Sequence, residues 1–158
     1  MTETLFYHLE RRGLDDVLPG LIEKTRERGW RALIRADSAE RASAIDTLLW
    51  TYDQQGFLPH AQEGDGEAAR QPVLITAEEH SAEKPPNGAD VLFLVGGTAP
   101  RSWGDASLND LTRIVLMFDG RDPEMLASAR AAWKDARAAG HDVTYWKETP
   151  AGKWEKQG

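Results

Sequence analysis

The residue types that most often carry out acid–base or metal chemistry are few in this chain and lie far apart. The histidines are His8, His60, His80 and His141. No two of them have a metal-ligand spacing such as H-E-x-x-H, and without cysteine there is neither a thiol nucleophile nor cysteine-ligated zinc. His60 follows a proline in a turn, and we expect it to hydrogen-bond the backbone rather than act as a base. The sequence therefore predicts no catalytic constellation, no metal site and no cofactor.

A glycine pair, Gly96-Gly97, follows an apolar segment and is the candidate phosphate-binding loop. Exposed backbone N–H groups in such a turn can bind an anion. The chain contains neither the G-x-G-x-x-G turn of dinucleotide-binding folds nor the G-x-x-x-x-G-K-[ST] sequence of phosphate-binding loops. Two interpretations remain open: an ordinary turn, or the phosphate site of a small nucleotide- or metabolite-binding α/β enzyme.

The segment 122–139 combines cations with a large aromatic residue. Arg130, Lys134 and Arg137 have the spacing i, i+4, i+7, which at about 100° per residue places all three on one face of a helix. Trp133 lies at the border between this basic face and the apolar stripe of the same helix. Because cations bind carboxylates and an aromatic ring supplies an apolar wall, this face suits a short acidic peptide. The alternative is a solvated face with the tryptophan packed on a sheet.

A second aromatic cluster occupies residues 47–60, with the sequence TLLWTYDQQGFLPH. It places Trp50, Tyr52, Phe57, Leu58 and His60 around a polar turn. Such residues are usually buried in a core, but they also form pockets and contacts with partner proteins. The pattern alone leaves these three interpretations open.

Apolar and amphipathic segments alternate along the chain and predict the elements that position these residues. The predicted strands are 4–9, 30–36, 72–76, 89–95, 112–118 and 141–148. The predicted helices are one from near Pro19 to Gly29, one over AERASAIDTLLWTY capped by Asp37 or Ser38, and 122–139 with the apolar stripe Met125, Ala129, Ala132 and Ala136. This alternation predicts one α/β domain, residues 1–149, with a mostly parallel sheet covered by helices on both faces, Rossmann-like but without the dinucleotide fingerprint. Residues 150–158 are predicted to form a loose polar tail.

The formal net charge of −7 disfavours direct binding to nucleic acid, because that affinity comes mainly from Lys and Arg. The charge is unevenly distributed: residues 1–120 contain 12 basic and 20 acidic side chains, and residues 121–158 contain 7 and 6. A basic site can therefore form in the last quarter. Stacking of single-stranded DNA on exposed tryptophans remains a further alternative. The lack of cysteine, of a signal sequence and of any apolar run of about 18 residues predicts a cytoplasmic protein.

Several segments follow one another along most of the chain: FYHL, WRALIRA, IDTLLW, FLPH, PVLIT, DVLFLV and the MFDGRDPE start of the helix that contains ARAAWKDARAAG. In this order and spacing they resemble the chi subunit family of bacterial DNA polymerase III. FLPH after the LLW helix end is the most specific of them. The family is a non-catalytic part of the clamp-loader assembly, and the resemblance contains no enzymatic fingerprint. It implies an α/β adaptor protein that acts by recruitment.

The resemblance implies a binding surface for the acidic C-terminal tail of single-stranded DNA-binding protein. Arg130, Trp133 and Lys134 match the family's basic-aromatic-basic motif, with tryptophan in place of a frequent tyrosine, so any hydrogen bond from that hydroxyl is lost. Phe118 and Arg121, which lead into the same helix, are additional candidates. With Arg137 from the helical face, these six residues are the predicted tail-binding set.

The resemblance also implies a role for the aromatic cluster of residues 47–60. In the family, the region that matches LLW and FLPH packs against psi, the subunit that connects chi to the clamp loader. The predicted partner-subunit interface is therefore Trp50, Phe57 and Leu58. A core position for one or two of these residues remains the alternative.

Overall fold

The structure is a computed structural model, and it describes residues 2–10, 12–52, 60–62, 71–77, 87–100, 102–104, 106–151 and 153–157. The strands are β1 (Glu3–Leu9), β2 (Ala32–Ala36), β3 (Ala61–Gln62), β4 (Val73–Ala77), β5 (Val91–Leu94), β6 (Arg113–Asp119), β7 (Asp142–Glu148) and β8 (Trp154–Gln157). The α-helices are α1 (Leu14–Glu27), α2 (Ala39–Thr51) and α3 (Pro123–Ala138), and Ala106–Asp110 forms a short 3₁₀ helix.

The eight strands form one sheet in the order β3-β4-β2-β5-β6-β1-β7-β8. All pairs are parallel except β7 with β8, which is antiparallel. The inner strands β2, β4 and β5 are buried along their whole length, as expected for parallel strands covered on both faces. The predicted single α/β domain with a mostly parallel sheet is confirmed.

The helices divide between the two faces of the sheet. Helices α1 and α2 cover the first face, where Leu18 and Ile45 pack in the same core cluster as Ile34 of β2. Helix α3 and the 3₁₀ helix cover the second face, where Ala132 and Leu108 pack in the cluster of Phe6. The three alanines of the predicted apolar stripe of α3 are buried, and Met125 is partly buried. The small stripe brings α3 close to the sheet and leaves its basic side chains in solvent.

The start of α1 differs from the prediction. We expected the helix to begin near Pro19, but it begins at Leu14 and contains Pro19 in its interior. Asp16 accepts a hydrogen bond from the backbone N–H of Gly13 at 3.1 Å and closes the first turn. Leu18 is fully buried against the sheet. Tertiary packing of the first turn thus outweighs the cost of a helix-interior proline.

The prediction of a loose tail after residue 149 is also wrong for the last strand. Residues Trp154–Gln157 form β8, which pairs with β7 and places Trp154 opposite Glu148. The Trp154 ring packs edge-on against Tyr7 of β1, with 4.9 Å between ring centroids. Polar composition predicted a loose segment, but a single aromatic anchor and backbone hydrogen bonds order this edge strand.

A polar contact crosses the second face of the sheet between β1 and β7. His8 is only 7% exposed, and its Nδ1 lies 2.6 Å from the hydroxyl of Tyr145. The His8 ring also packs beside Phe118 of β6, with 5.0 Å between centroids. Gly120 follows β6 at this point, and a Cβ atom there would overlap the His8 ring. The close approach of backbone to ring therefore requires glycine.

We predict that Gly120→Ala lowers the free energy of unfolding by about 1–3 kcal/mol, because the hydrogen-bonded His8 ring has little room to move. Gly20→Ala is the matched control: an added Cβ at this exposed position of α1 contacts nothing within 4 Å. It should stabilise the protein by about 0.5–1 kcal/mol through helix propensity. Urea denaturation measures both changes. An unchanged midpoint for Gly120→Ala, or an equal loss in a His8→Ala background, would contradict this account.

Candidate functional site

The basic face of α3 depends on a well-defined helix start. The side chain of Asp122 caps the helix by accepting the Glu124 backbone N–H at 3.0 Å, and Pro123 occupies the first turn. With the start fixed and Ala132 on the sheet, Arg130 and Lys134 lie one turn apart on the solvent side. The predicted helical face is therefore present in the structure.

Four side chains, Arg130, Trp133, Lys134 and Tyr145, line a shallow pocket between α3 and β7 with a volume of about 420 Å³. Trp133 is half-buried and forms its apolar wall. Its ring packs edge-on against Phe6 from β1, at 5.6 Å, and against Tyr145, at 5.5 Å. One side of the Trp133 ring covers the sheet, as the alternative interpretation expects, and the other side faces the pocket. We call this group of four residues the α3 pocket.

Tyr145 was not predicted as a site residue. Its signal in the sequence is the alternation in β7: Val143 and Tyr145 point to the α3 face, while Trp146 points to the opposite one. Strand alternation can be read from HDVTYWKE, but the adjacency of β7 to α3 depends on the order of strands in the sheet.

His8 lies behind Tyr145 and sets its orientation. Burial lowers the pKa of His8 below its usual 6.5; the carboxylate of Glu10 opposes this shift, whereas the charges of Lys147 and Arg130 add to it. His8 Nε2 is 3.1 Å from Glu10 Oε1, close enough for charge attraction but not aligned as a hydrogen bond. A neutral ring with its proton on Nε2, towards this carboxylate, accepts the Tyr145 O–H at Nδ1. Burial also changes the pKa of Tyr145, but it raises it above its usual value because the charged form of tyrosine is the deprotonated one.

The remaining predicted tail-binding residues lie outside the α3 pocket. Phe118 is only 2% exposed and supports Tyr145 from behind, with 6.0 Å between ring centroids. Arg121 is exposed and bonds to Asp119 at 3.0 Å, a contact that lowers the pKa of that carboxyl. Arg137 lies over the Trp133 ring, 5.9 Å from its centroid, on the edge of the pocket. The structure thus brings together Arg130, Trp133 and Lys134, with Arg137 beside them.

Trp50 is the most exposed large apolar residue in the part of the chain that the structure describes. It is 54% exposed at the end of α2, and its ring packs on His60 with 4.6 Å between centroids. The other two predicted interface residues, Phe57 and Leu58, lie outside the described residues. His60 is buried, and its Nε2 lies 3.2 Å from the backbone oxygen of Asp46, which confirms the predicted backbone contact.

The Gly96-Gly97 loop forms a turn in which both residues have positive φ, 73° and 91°. A Cβ at Gly96 would overlap both the carboxylate of Asp37 and the guanidinium of Arg41, which pair with each other. This ion pair therefore fills the space beside the loop, and its cation is already neutralised where a bound phosphate would need one. Its geometry favours the ordinary turn over a phosphate site.

Among the residues that the structure describes, no group of three or more histidine, aspartate or glutamate side chains is arranged to hold a metal ion. Among the same residues, none of the helices is long and apolar enough to cross a membrane. The α3 pocket and the surface around Trp50 remain the candidate sites.

Known proteins resemble most of this chain. Residues 1–144 match the family described as DNA polymerase III chi subunit, HolC. The chain is also 29% identical over 98 residues to a protein of Rickettsia prowazekii (strain Madrid E) named "Probable DNA polymerase III subunit chi". This similarity covers 62% of the chain and 57% of the Rickettsia protein, little more than half of its length. The chain belongs to the DNA polymerase III chi subunit family, an accessory subunit family of the replication machinery.

Proposed function

We propose that this protein is a non-catalytic adaptor of the replicative polymerase in the cytoplasm, and that the α3 pocket binds the acidic C-terminal tail of single-stranded DNA-binding protein. The observation that carries the proposal is the convergence of Arg130, Lys134 and a half-buried Trp133 on one pocket. Two cations beside an aromatic wall fit a peptide that presents carboxylates and an apolar group.

The cations of the α3 pocket are available to a ligand. Among the residues that the structure describes, neither Arg130 nor Lys134 forms an ion pair. A carboxylate therefore replaces water without breaking an internal salt bridge. Because both cations are exposed, their attraction for a peptide is screened by salt.

We predict that Arg130→Ala/Lys134→Ala weakens binding of a synthetic tail peptide by about tenfold or more, equivalent to about 1.4 kcal/mol or more. Tryptophan fluorescence, with Trp133 as a local reporter, follows the titration. Lys153→Ala/Lys156→Ala is the matched control, because it removes the same charge from exposed positions on the opposite side of β7. Equal weakening by both variants would show that the peptide binds only through net charge. A wild-type affinity that does not change with salt would show that it binds elsewhere.

The contact between His8 and Tyr145 adds a pH dependence to the proposed binding. With His8 neutral, the Tyr145 O–H is directed at Nδ1 and is not free for a carboxylate. Protonation of His8 turns Nδ1 into a donor and releases the Tyr145 O–H towards the α3 pocket. The charged groups that influence His8 are Glu10, Lys147 and Arg130, and Asp119 lies close enough to be affected by His8 in turn. A tail that offsets the charge of Arg130 favours the protonated form.

We therefore predict that tail affinity increases as the pH falls from 7.5 to 5.5. In the free protein, burial keeps the pKa of His8 below 6.5. The bound tail raises this pKa, so binding takes up a proton and becomes stronger as the pH falls. One released hydrogen bond corresponds to a gain in tail affinity of about threefold. Calorimetric titration at several pH values measures it. Tyr145→Phe, which keeps the ring, should flatten the profile; an unchanged profile in this variant would rule out the relay.

We further propose that the surface around Trp50 binds the psi subunit, or another clamp-loader component, and so completes the link. An exposed indole at a helix end is the type of residue that dominates protein interfaces. Phe57 and Leu58 belong to this proposal through the family resemblance alone.

For this surface we predict that Trp50→Ala weakens binding of the partner subunit by at least about 30-fold, a loss of about 2 kcal/mol. Tail binding should remain within twofold of wild type. Arg130→Ala/Lys134→Ala is the reciprocal control, since it should lose the tail and retain the partner. Co-purification and calorimetry measure both. Retention of the partner by Trp50→Ala at full affinity would remove this residue from the interface.

A further inference from the structure

A second cavity lies on the opposite face of the sheet from the α3 pocket. It has a volume of about 260 Å³ and is lined by α1 and by strands β1, β5, β6, β7 and β8. Leu5, Leu21 and Phe93 are among its apolar lining residues. The partner surfaces that the family resemblance implies do not account for it, because they lie on α3 and at the end of α2. We call it the α1–β7 cavity.

Aromatic side chains form the outer wall of the α1–β7 cavity. Tyr7 and Trp146 occupy paired positions on β1 and β7, and Trp154 closes the wall from β8. Tyr7 and Trp154 hold each other in an edge-to-face contact. Trp154 completes this wall because β8 is ordered, and aromatic faces suit a flat ring system.

Cations surround the mouth of the same cavity. Lys24 and Arg28 lie one turn apart on α1, and Arg113 reaches it from β6. Within the described part of the chain, Lys24 and Arg28 have no carboxylate partner, whereas Arg113 contacts Glu3 at 3.3 Å. The guanidinium groups of Arg28 and Arg113 are held over the ring of Trp30, at 5.1 and 5.3 Å from its centroid. In a protein of net charge −7, this is a local excess of positive charge.

Two hydrogen-bond donors at the cavity are buried and unused. The indole Nε1 of Trp146 and the Nε of Arg113 are both inaccessible to solvent, and neither has an acceptor among the described residues. A buried donor without an acceptor costs about 1–3 kcal/mol, so such groups are rare unless a ligand satisfies them. Both belong to residues that line the cavity. They call for a ligand that brings acceptor oxygens.

We propose that the α1–β7 cavity binds a small aromatic organic anion, a flat ring system that carries one carboxylate, sulfonate or phosphate group. The ring lies against Tyr7, Trp146 and Trp154, and the anionic group lies among Lys24, Arg28 and Arg113. The volume accommodates a free small molecule and lies at the lower limit of ligand pockets. A nucleic-acid strand or a peptide would need an open groove instead.

The test uses a matched pair of ligands, naphthalene-2-sulfonate and the uncharged naphthalene-2-sulfonamide, in calorimetric titrations of the full chain. The sulfonate should bind with a stoichiometry of one and at least about tenfold more tightly than the sulfonamide. Lys24→Gln/Arg28→Gln should bring the two affinities within about twofold, because only the charge contact is lost. Both replaced side chains are exposed, so folding should not change. Trp154→Ala should weaken both ligands.

The position of the bound sulfonate is determined from the indole N–H signals in nitrogen-15 NMR spectra. The Trp146 signal should shift on addition of the sulfonate, and the Trp50 signal should not. Arg130→Gln/Lys134→Gln, in the α3 pocket, should leave the affinity unchanged. Equal binding of the two ligands, or an unshifted Trp146 signal, would overturn the proposal. Displacement of the sulfonate by the acidic tail peptide or by oligothymidylate would also overturn it, by assigning the cavity to a macromolecule.

Discussion

The structure depends on β1 being hydrogen-bonded along its length between β6 and β7. In a strand held on both sides, successive side chains must point to opposite faces. Tyr7 therefore faces α1 and lines the α1–β7 cavity, whereas Phe6 and His8 face α3 and support Trp133 and Tyr145. One short strand thus positions the interior of both sites. A shift of its register by one residue would exchange their linings.

Paired and unpaired charges lie in different parts of the fold. At the carboxyl ends of the strands, where α/β folds commonly bind ligands, the cavity beside Gly96 contains Asp15, Asp16 and Asp119 together with Arg41 and Arg121. Its charges largely offset one another, and the Asp37–Arg41 pair fills the space above Gly96. Among the residues that the structure describes, cations without a carboxylate partner include Arg130 and Lys134 on the outer face of α3 and Lys24 and Arg28 at the mouth of the α1–β7 cavity. A Rossmann-like sheet here does not imply a Rossmann-like ligand site.

The sequence predicted the elements with strong local signals and missed those set by tertiary contacts. Helix α3 has an aspartate cap, a first-turn proline and a stripe of alanines, so its ends and its basic face follow from local chemistry. Strand β8 has no such signal, because it is ordered by pairing with β7 and by one ring contact of Trp154. Tyr145 was missed for a related reason: alternation gives its face, but only the strand order brings that face to α3. Pro19 shows the converse, because burial of Leu18 outweighs the cost of a proline inside helix α1.

The proposed adaptor role requires two partners to bind at once, and the layering of the fold favours this. Helix α2, which ends at the exposed Trp50, packs on the first face of the sheet, while α3 and its pocket lie on the second. Partners on opposite faces do not compete for surface, so the two contacts can act through one molecule. Joining two contacts in this way raises the local concentration of each partner for the other without any new contact. Weak, salt-sensitive binding at the exposed cations of the α3 pocket is then sufficient, because the second contact retains the protein where the tail is presented.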